Sequence, residues 1–165
     1  MERIKHLVQS LDLQPHPEGG WYRESYRSPE MIPISALPER FDSQRCFCTS
    51  IYFLLSGDEF SAFHRIKQDE VWHFYDGDAL TVHVIDKGGG YLEKKLGRNV
   101  EAGECFQQVV EAGDYFAASL ASDGFALVGC TVAPGFDFAD FEMPSCHSLL
   151  ELYPQHAAVI KQHTR

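Results

Sequence analysis

Hydrophobic and polar positions along the chain change period twice. Residues 3–11 place Ile4, Leu7, Val8 and Leu11 on one face at helical spacing, which predicts a short N-terminal helix. The segment P-H-P-E-G-G over 15–20 ends it, because proline and glycine together break a helix and force a turn. From Trp21 the period is two. Trp21, Arg23, Ser25 and Arg27 alternate with Tyr22, Glu24 and Tyr26, which predicts a strand over 21–28 with one charged and one aromatic side. Pro29, Pro33 and Pro38 make 29–43 a loop. Strands are then expected at 46–55, 59–66, 69–76, 79–86, 91–96, 106–110, 114–119 and 124–133. They are separated by Ser56-Gly57-Asp58, Asp76-Gly77-Asp78, Gly88-Gly89-Gly90, Ala112-Gly113-Asp114 and Ser122-Asp123-Gly124. Short strands at this spacing predict a sandwich or closed barrel rather than a parallel α/β sheet. After Phe141 the helical period returns at 148–153 and 154–163, with Pro154 suited to a first helical turn. Leu149, Leu150, Leu152, Val159 and Ile160 would pack these turns onto the barrel. No boundary divides the chain, so one domain is expected over 1–165: a helical segment 1–14, a barrel 15–143 and a helical segment 144–165.

The pattern centres on 57–77, where two strand-like runs carry one histidine and one glutamate. If His64 points inward, Phe60, Ala62 and Ile66 share its face. On the next run Glu70, Trp72 and Phe74 form one set, and Val71, His73 and Tyr75 the other. Pairing the runs as a hairpin through 67–69 puts His64 and Glu70 on one apolar inner face. Titratable groups so placed have perturbed pKa values and are site candidates. The alternative is a His–Glu pair that satisfies itself in a core, or a Glu70 at a solvated turn.

Composition narrows the classes. The hydrophobic share is 44% and the charged share 23%, a globular balance, and the 13% aromatics suit a filled barrel. A net charge of −10 makes nucleic acid and anionic membranes poor partners. Five scattered cysteines argue against a disulfide framework, and Cys46, Cys48 and Cys130 read as strand filling. The N-terminus has no apolar signal region and no apolar run is long enough to span a bilayer, so a cytoplasmic protein is expected.

Residues G-x6-H-x-I-x3-E-x6-G, from Gly57 through His64, Ile66 and Glu70 to Gly77, resemble the first motif of the cupin superfamily, G-x5-H-x-H-x3–4-E-x6-G. Residues 103–120 resemble its second motif, G-x5-P-x-G-x2-H-x3-N. The stretches 15–28, 70–78, 112–119 and 133–143 resemble a family of uncharacterised cupin-like proteins of bacteria and fungi. The resemblance implies an all-β fold, a jelly-roll barrel (double-stranded β-helix) with short terminal helices, commonly a homodimer. Metal-binding cupins use two histidines and a glutamate of the first motif and a histidine of the second. Here His64 and Glu70 stand at two of those places, while Ile66 and Phe116 take the others and Glu111 replaces a proline. Two of four ligands are gone, so neither a metal nor another cofactor is expected.

The expected function is binding of a small, partly apolar molecule in the barrel. Metal-free cupins include sugar-nucleotide epimerases, and by that resemblance His64 would act as base and Glu70 as its partner, with Tyr22, Tyr26 or Tyr52 as acid. A pocket of Tyr22, Glu24, Tyr52, Ala62, Ile66, Trp72, Phe74, Phe116 and Ala118 follows. A non-catalytic binding or storage module, and a metal enzyme with ligands from outside the motifs, stay open. The clustered prolines and glycines of 15–20 favour a rigid corner over a pocket lip with Tyr22 and Glu24 inward. Arg23 and Arg27, on the other face, would meet a neighbouring subunit or a ligand acid group. His73 and His83 read as packed or interface residues. Phe136, Phe138 and Phe141 would close one barrel end.

Overall fold

A computed structural model of the chain describes residues 2–165; Met1, first residue of the expected helical segment 1–14, lies outside the described residues. Helix α1 (Glu2–Ser10) leads into strands β1 (Gln14–Pro15), β2 (Trp21–Arg27), β3 (Met31–Ile32), β4 (Arg45–Cys46), β5 (Thr49–Ser56) and β6 (Phe60–His64). Strands β7 (Asp69–Gly77), β8 (Leu80–Ile85), β9 (Tyr91–Leu96), β10 (Gln107–Val110), β11 (Tyr115–Leu120) and β12 (Phe125–Ala133) follow, and then helices α2 (Cys146–Leu152) and α3 (Ala157–Gln162). The alternation read from the sequence thus becomes strands within a residue or two of the expected places, except that the expected strand 46–55 is divided into β4 and β5. Loop 29–43 contains one short strand and a 3-10 turn at Ile34–Ala36. No described helix is long and apolar enough to cross a membrane.

Antiparallel pairing gives a six-stranded sheet in the order β1-β2-β5-β12-β7-β10 and a four-stranded sheet in the order β6-β11-β8-β9. The two sheets face each other as a jelly roll. Inward residues of both, including Phe53, Trp72, Val82, Val84, Phe116 and Val128, form one packed core. Each such side chain stabilises the fold by roughly 1.5–3 kcal/mol when fully buried. Helix α1 lays Leu7 against Leu13, Leu54 and Leu127 on the outside of the larger sheet. Helices α2 and α3 cover the smaller sheet with Leu149 and Ile160 on Phe63, Ile85 and Tyr115.

Two local features depart from simple alternation. First, β6 and β7 do not form a hairpin. β6 pairs with β11 and β7 with β12 and β10, so they stand in opposite sheets. Residues 65–68 offer no Gly or Asn for a tight turn. Instead Gln68 is buried and donates to Gly135 O at 3.2 Å and to Asp140 at 2.7 Å, pulling the chain across the barrel. His64 and Glu70 therefore face one another across the interior. Second, the β2–β5 register shifts between Glu24 and Tyr26. The bulge at Ser25 inverts the alternation, so Arg27 joins Tyr22 and Glu24 on the inner side.

The corner at 15–20 is fixed by backbone. Gly19 and Gly20 have φ of 113° and 72°, and a Cβ on Gly19 would collide with the Phe60 carbonyl. This close approach lets Ala62 N–H donate to Glu18 O at 2.8 Å, laying the loop along β6 and aiming the Glu18 side chain inward.

Candidate functional site

A cavity of about 280 Å³ opens inside the barrel. β2 contributes Tyr22, Glu24 and Arg27, and the preceding loop contributes His16 and Glu18. β5 gives Thr49, Ile51 and Phe53; β6 and the residues after it give His64 and Ile66; β7 and β12 give Glu70, Cys130 and Val132. Phe136, Phe138 and Phe141, from the segment after β12, complete the wall. Their rings touch one another and the His16 ring, with centroids 5.0–6.4 Å apart.

His64 is locked by two contacts. Its Nδ1 lies 2.7 Å from the Ala62 carbonyl oxygen, which can only accept, so Nδ1 carries a hydrogen. Its Nε2 lies 3.0 Å from Glu18 Oε2. One proton must sit between those two atoms. Burial pushes His64 down to about 3. Burial, and then the charge of Glu70, push Glu18 well above the usual carboxylate range, against a hydrogen bond from Ser61. The neutral arrangement follows: Glu18 holds the proton and donates it to Nε2, while Ser61 Oγ donates to Glu18 Oε1 at 2.8 Å. His16 is a second neutral imidazole. Its Nδ1 accepts the Glu18 backbone N–H at 3.3 Å, which leaves the hydrogen on Nε2, and burial lowers its pKa to about 4.

Glu70 differs. It is 8% exposed and lines the cavity, and among the described residues the Cys130 thiol is the one donor beside it. Burial pushes it up to about 7, slightly opposed by that thiol, and burial with Glu70 pushes Cys130 up in turn. At the mouth, Arg27 is paired with Glu24. It donates to Glu24 at 2.7 and 3.0 Å and to Phe136 O at 3.1 Å.

The expected site is thus partly redrawn. His64, Glu70, Tyr22, Glu24 and Ile66 come together on the cavity. His64 and Glu70 are not partners; the carboxyl on His64 is Glu18, because the two strands lie in opposite sheets and the 15–20 loop reaches His64 first. Trp72, Phe74, Phe116 and Ala118 do not line the cavity. They belong to the packed core, where side chains fill the barrel. Phe116 seats its ring 4.1 Å from that of His64. Ala62 acts only through its carbonyl. Tyr52 points to the outer face, packing with Leu54 and Trp21 and 6.1 Å from the Tyr75 ring. Tyr26 is 52% exposed. Arg23 holds Leu11 O, His73 bonds Thr131 on the outer face, and buried His83 sits between Tyr91 and Ser119.

Sequence reasoning did not select His16, Glu18, Arg27, Thr49, Ile51, Phe53 or Cys130. The available signal was the ordered P-H-P-E-G-G corner for the first two. For Ile51 and Phe53 it was the strand parity that excludes Tyr52.

A metal held in the cupin manner does not fit these residues. Ile66 and Phe116 occupy two ligand places as buried apolar side chains, and both nitrogens of His64 are engaged. Among the described residues no three His, Cys, Asp or Glu side chains are grouped to hold an ion.

Comparison with known proteins places this geometry. The family described as Cupin superfamily (DUF985) matches residues 5–144. A crystal structure of a Shewanella oneidensis protein is similar at 42% identity, covering 98% of this chain and 96% of that one, with a TM-score of 0.89. A hypothetical protein from Leishmania major is similar at 39% identity, covering 97% of each chain, with a TM-score of 0.89. An uncharacterized Saccharomyces cerevisiae protein is 29% identical over 83% of this chain and 73% of its own. Oxalate decarboxylase from Bacillus subtilis, at 16% identity, a TM-score of 0.56 and coverage of 94% of this chain and 36% of its own, shares the fold alone.

Proposed function

Because the chain belongs to the cupin superfamily family DUF985, we propose that it uses the barrel as a binding site and holds a small, partly apolar molecule in the cavity beside Glu70. Fold alone does not carry this reading, since one fold serves many functions. The observation that carries it is Glu70, a carboxyl more than nine-tenths buried that faces open volume with only a thiol beside it. A buried acceptor left so poorly served costs stability, and a ligand donor in the cavity supplies what the protein does not. The cavity lies just below the range of roughly 300–1,000 Å³ usual for small-molecule sites, which suits a compact ligand.

Native mass spectrometry tests this. The purified protein is expected to carry a low-molecular-weight compound or to take one up, and Ile51→Trp, which fills the cavity, is expected to lose it. Retention of the same compound by Ile51→Trp puts the site elsewhere.

A second reading, proton-transfer chemistry such as isomerisation beside a carbonyl group, is favoured by the place of Glu70 on the cavity wall, where burial pushes its carboxyl up to about 7 and a general base is most useful. The base passes from His64 to Glu70, because His64 has no free nitrogen. Donors on the cavity wall include the Tyr22 hydroxyl and His16 Nε2–H. Solvent deuterium entering small keto compounds with wild-type protein, and not with Glu70→Gln, is the expected result; equal exchange in the variant removes Glu70 from the chemistry.

A further inference from the structure

We propose that the occupant of this cavity is a compact organic ammonium ion carried on an apolar or aromatic body, with the ammonium at Glu70 and the body against Phe136, Phe138 and Phe141. The inference rests on the binding reading above and gives it a chemical class.

The first argument is charge. The cavity offers an anion neutral donors but no free counter-charge. Burial holds His64 and His16 neutral, and Arg27, the one cation on the wall among the described residues, is paired with Glu24. A carboxylate or phosphate entering here would lose its water and find no counter-charge, which is costly. The second argument is hydrogen bonding. Glu70 offers two acceptor oxygens to the cavity and meets only the Cys130 thiol, a weak donor. An ammonium supplies N–H donors and charge together, and charge-assisted bonds of this kind are about twice as strong as neutral ones. The third is the wall. Three phenylalanines, Tyr22 and Phe53 line the same cavity as Glu70, and aromatic faces attract a cation, by about 2 kcal/mol when it is desolvated. The net charge of −10 acts in the same direction by drawing cations to the surface.

Isothermal titration of the full chain at pH 8 with three probes of similar shape tests the class: 2-phenylethylammonium, 2-phenylethanol and phenylacetate. The ammonium is expected to bind at least tenfold more tightly than the alcohol, and phenylacetate to be weakest. Glu70→Gln is expected to weaken the ammonium at least tenfold and so to abolish its advantage over the alcohol. Phe138→Leu, at a half-exposed position that tolerates exchange, is expected to weaken the ammonium more than the alcohol, so the test survives if Glu70→Gln fails to fold. Alcohol or phenylacetate binding as tightly as the ammonium overturns the cationic class and leaves the cavity a binding site. Ammonium affinity undiminished in both variants does the same. If none of the three binds and no compound co-purifies, the binding reading itself falls.

Discussion

Asp140 and Glu70 are both carboxyls more than nine-tenths buried, and they lie on opposite sides of Ile66 and Phe141. Asp140 is saturated. Arg45 reaches it with Nε at 2.7 Å and Nη2 at 2.5 Å, Gln68 donates at 2.7 Å, and Lys67 stands 3.7 Å away. Burial works to raise its pKa, yet the bonds from Arg45 and Gln68 outweigh it and hold Asp140 below the usual carboxylate range. Glu70 meets the same burial with a thiol alone, so its pKa rises to about 7. The contrast separates two uses of a buried acid. Where donors surround it, the acid is architecture: here it ties β4, the chain after β6 and the 3-10 turn at Phe138–Asp140 together. Where donors are withheld and volume is left open, the acid waits for something that is not part of the chain.

The hardest test of this contrast is to remove the counter-charge from the saturated side. Arg45→Leu leaves Asp140 buried with Gln68 and with Lys67 at 3.7 Å. Breaking a buried pair from one side costs about 3–5 kcal/mol. Urea unfolding should show a loss of that size. A loss under about 1 kcal/mol would mean that Asp140 simply takes up a proton and that the two carboxyls are alike.

The unsaturated side is probed by pH. Glu70 has an unfolded pKa of about 4.3 and a folded value of about 7. Between these the folded state holds the extra proton. Its contribution is complete below the unfolded value and is lost as pH rises through 7. His64 and His16 run the other way. Their folded values of about 3 and 4 lie below an unfolded value of about 6.5, so the stability they give is complete above 6.5 and lost as pH falls. In the wild type these slopes oppose each other. Glu18, also raised, falls with Glu70; Glu70→Gln removes one of the two falling contributions, so unfolding free energy should climb more steeply than in the wild type between pH 5 and 6.5, by about 1.4 kcal/mol per pH unit. That amounts to roughly 2 kcal/mol across the window. An unchanged slope would show Glu70 already ionised at pH 5, with donors that the structure does not give it.

Much of the architecture was legible in the chain because it is local. Period-two alternation and Gly-Asp turns placed the strands from β5 to β12, and parity sorted each strand into two faces, with His64 and Glu70 taken as inward. The site was less legible because its decisive contacts are not local. Glu18 and His64 are far apart in sequence and meet through a glycine corner that no periodicity describes. A bulge of one residue turned Arg27 inward, against its alternation. The connection 65–68 carries no turn chemistry and makes no hairpin, because Gln68 is anchored to Gly135 O and Asp140. How far the barrel is filled is also a tertiary property, which is why Trp72 and Phe116 read as lining and are core.

A finer test lies within the site itself, where Glu18 stands between the two extremes. One of its oxygens is served by Ser61 Oγ at 2.8 Å, and the other shares a proton with His64 Nε2 at 3.0 Å. If donor supply is what divides architecture from binding site, Glu18 belongs with Asp140, and its bonds hold the 15–20 corner on β6. Ser61 has no exposed surface, so Ser61→Ala removes one donor, and no water can approach without a rearrangement. The expected cost is about 1–2 kcal/mol, the penalty of one buried acceptor left unpaired. It should appear as a lower urea midpoint with an unchanged slope. The ammonium preference at Glu70 should persist, because Ser61 does not line the cavity. Loss of that preference without loss of stability would make Glu18 part of the binding surface and move the dividing line between the two kinds of buried acid.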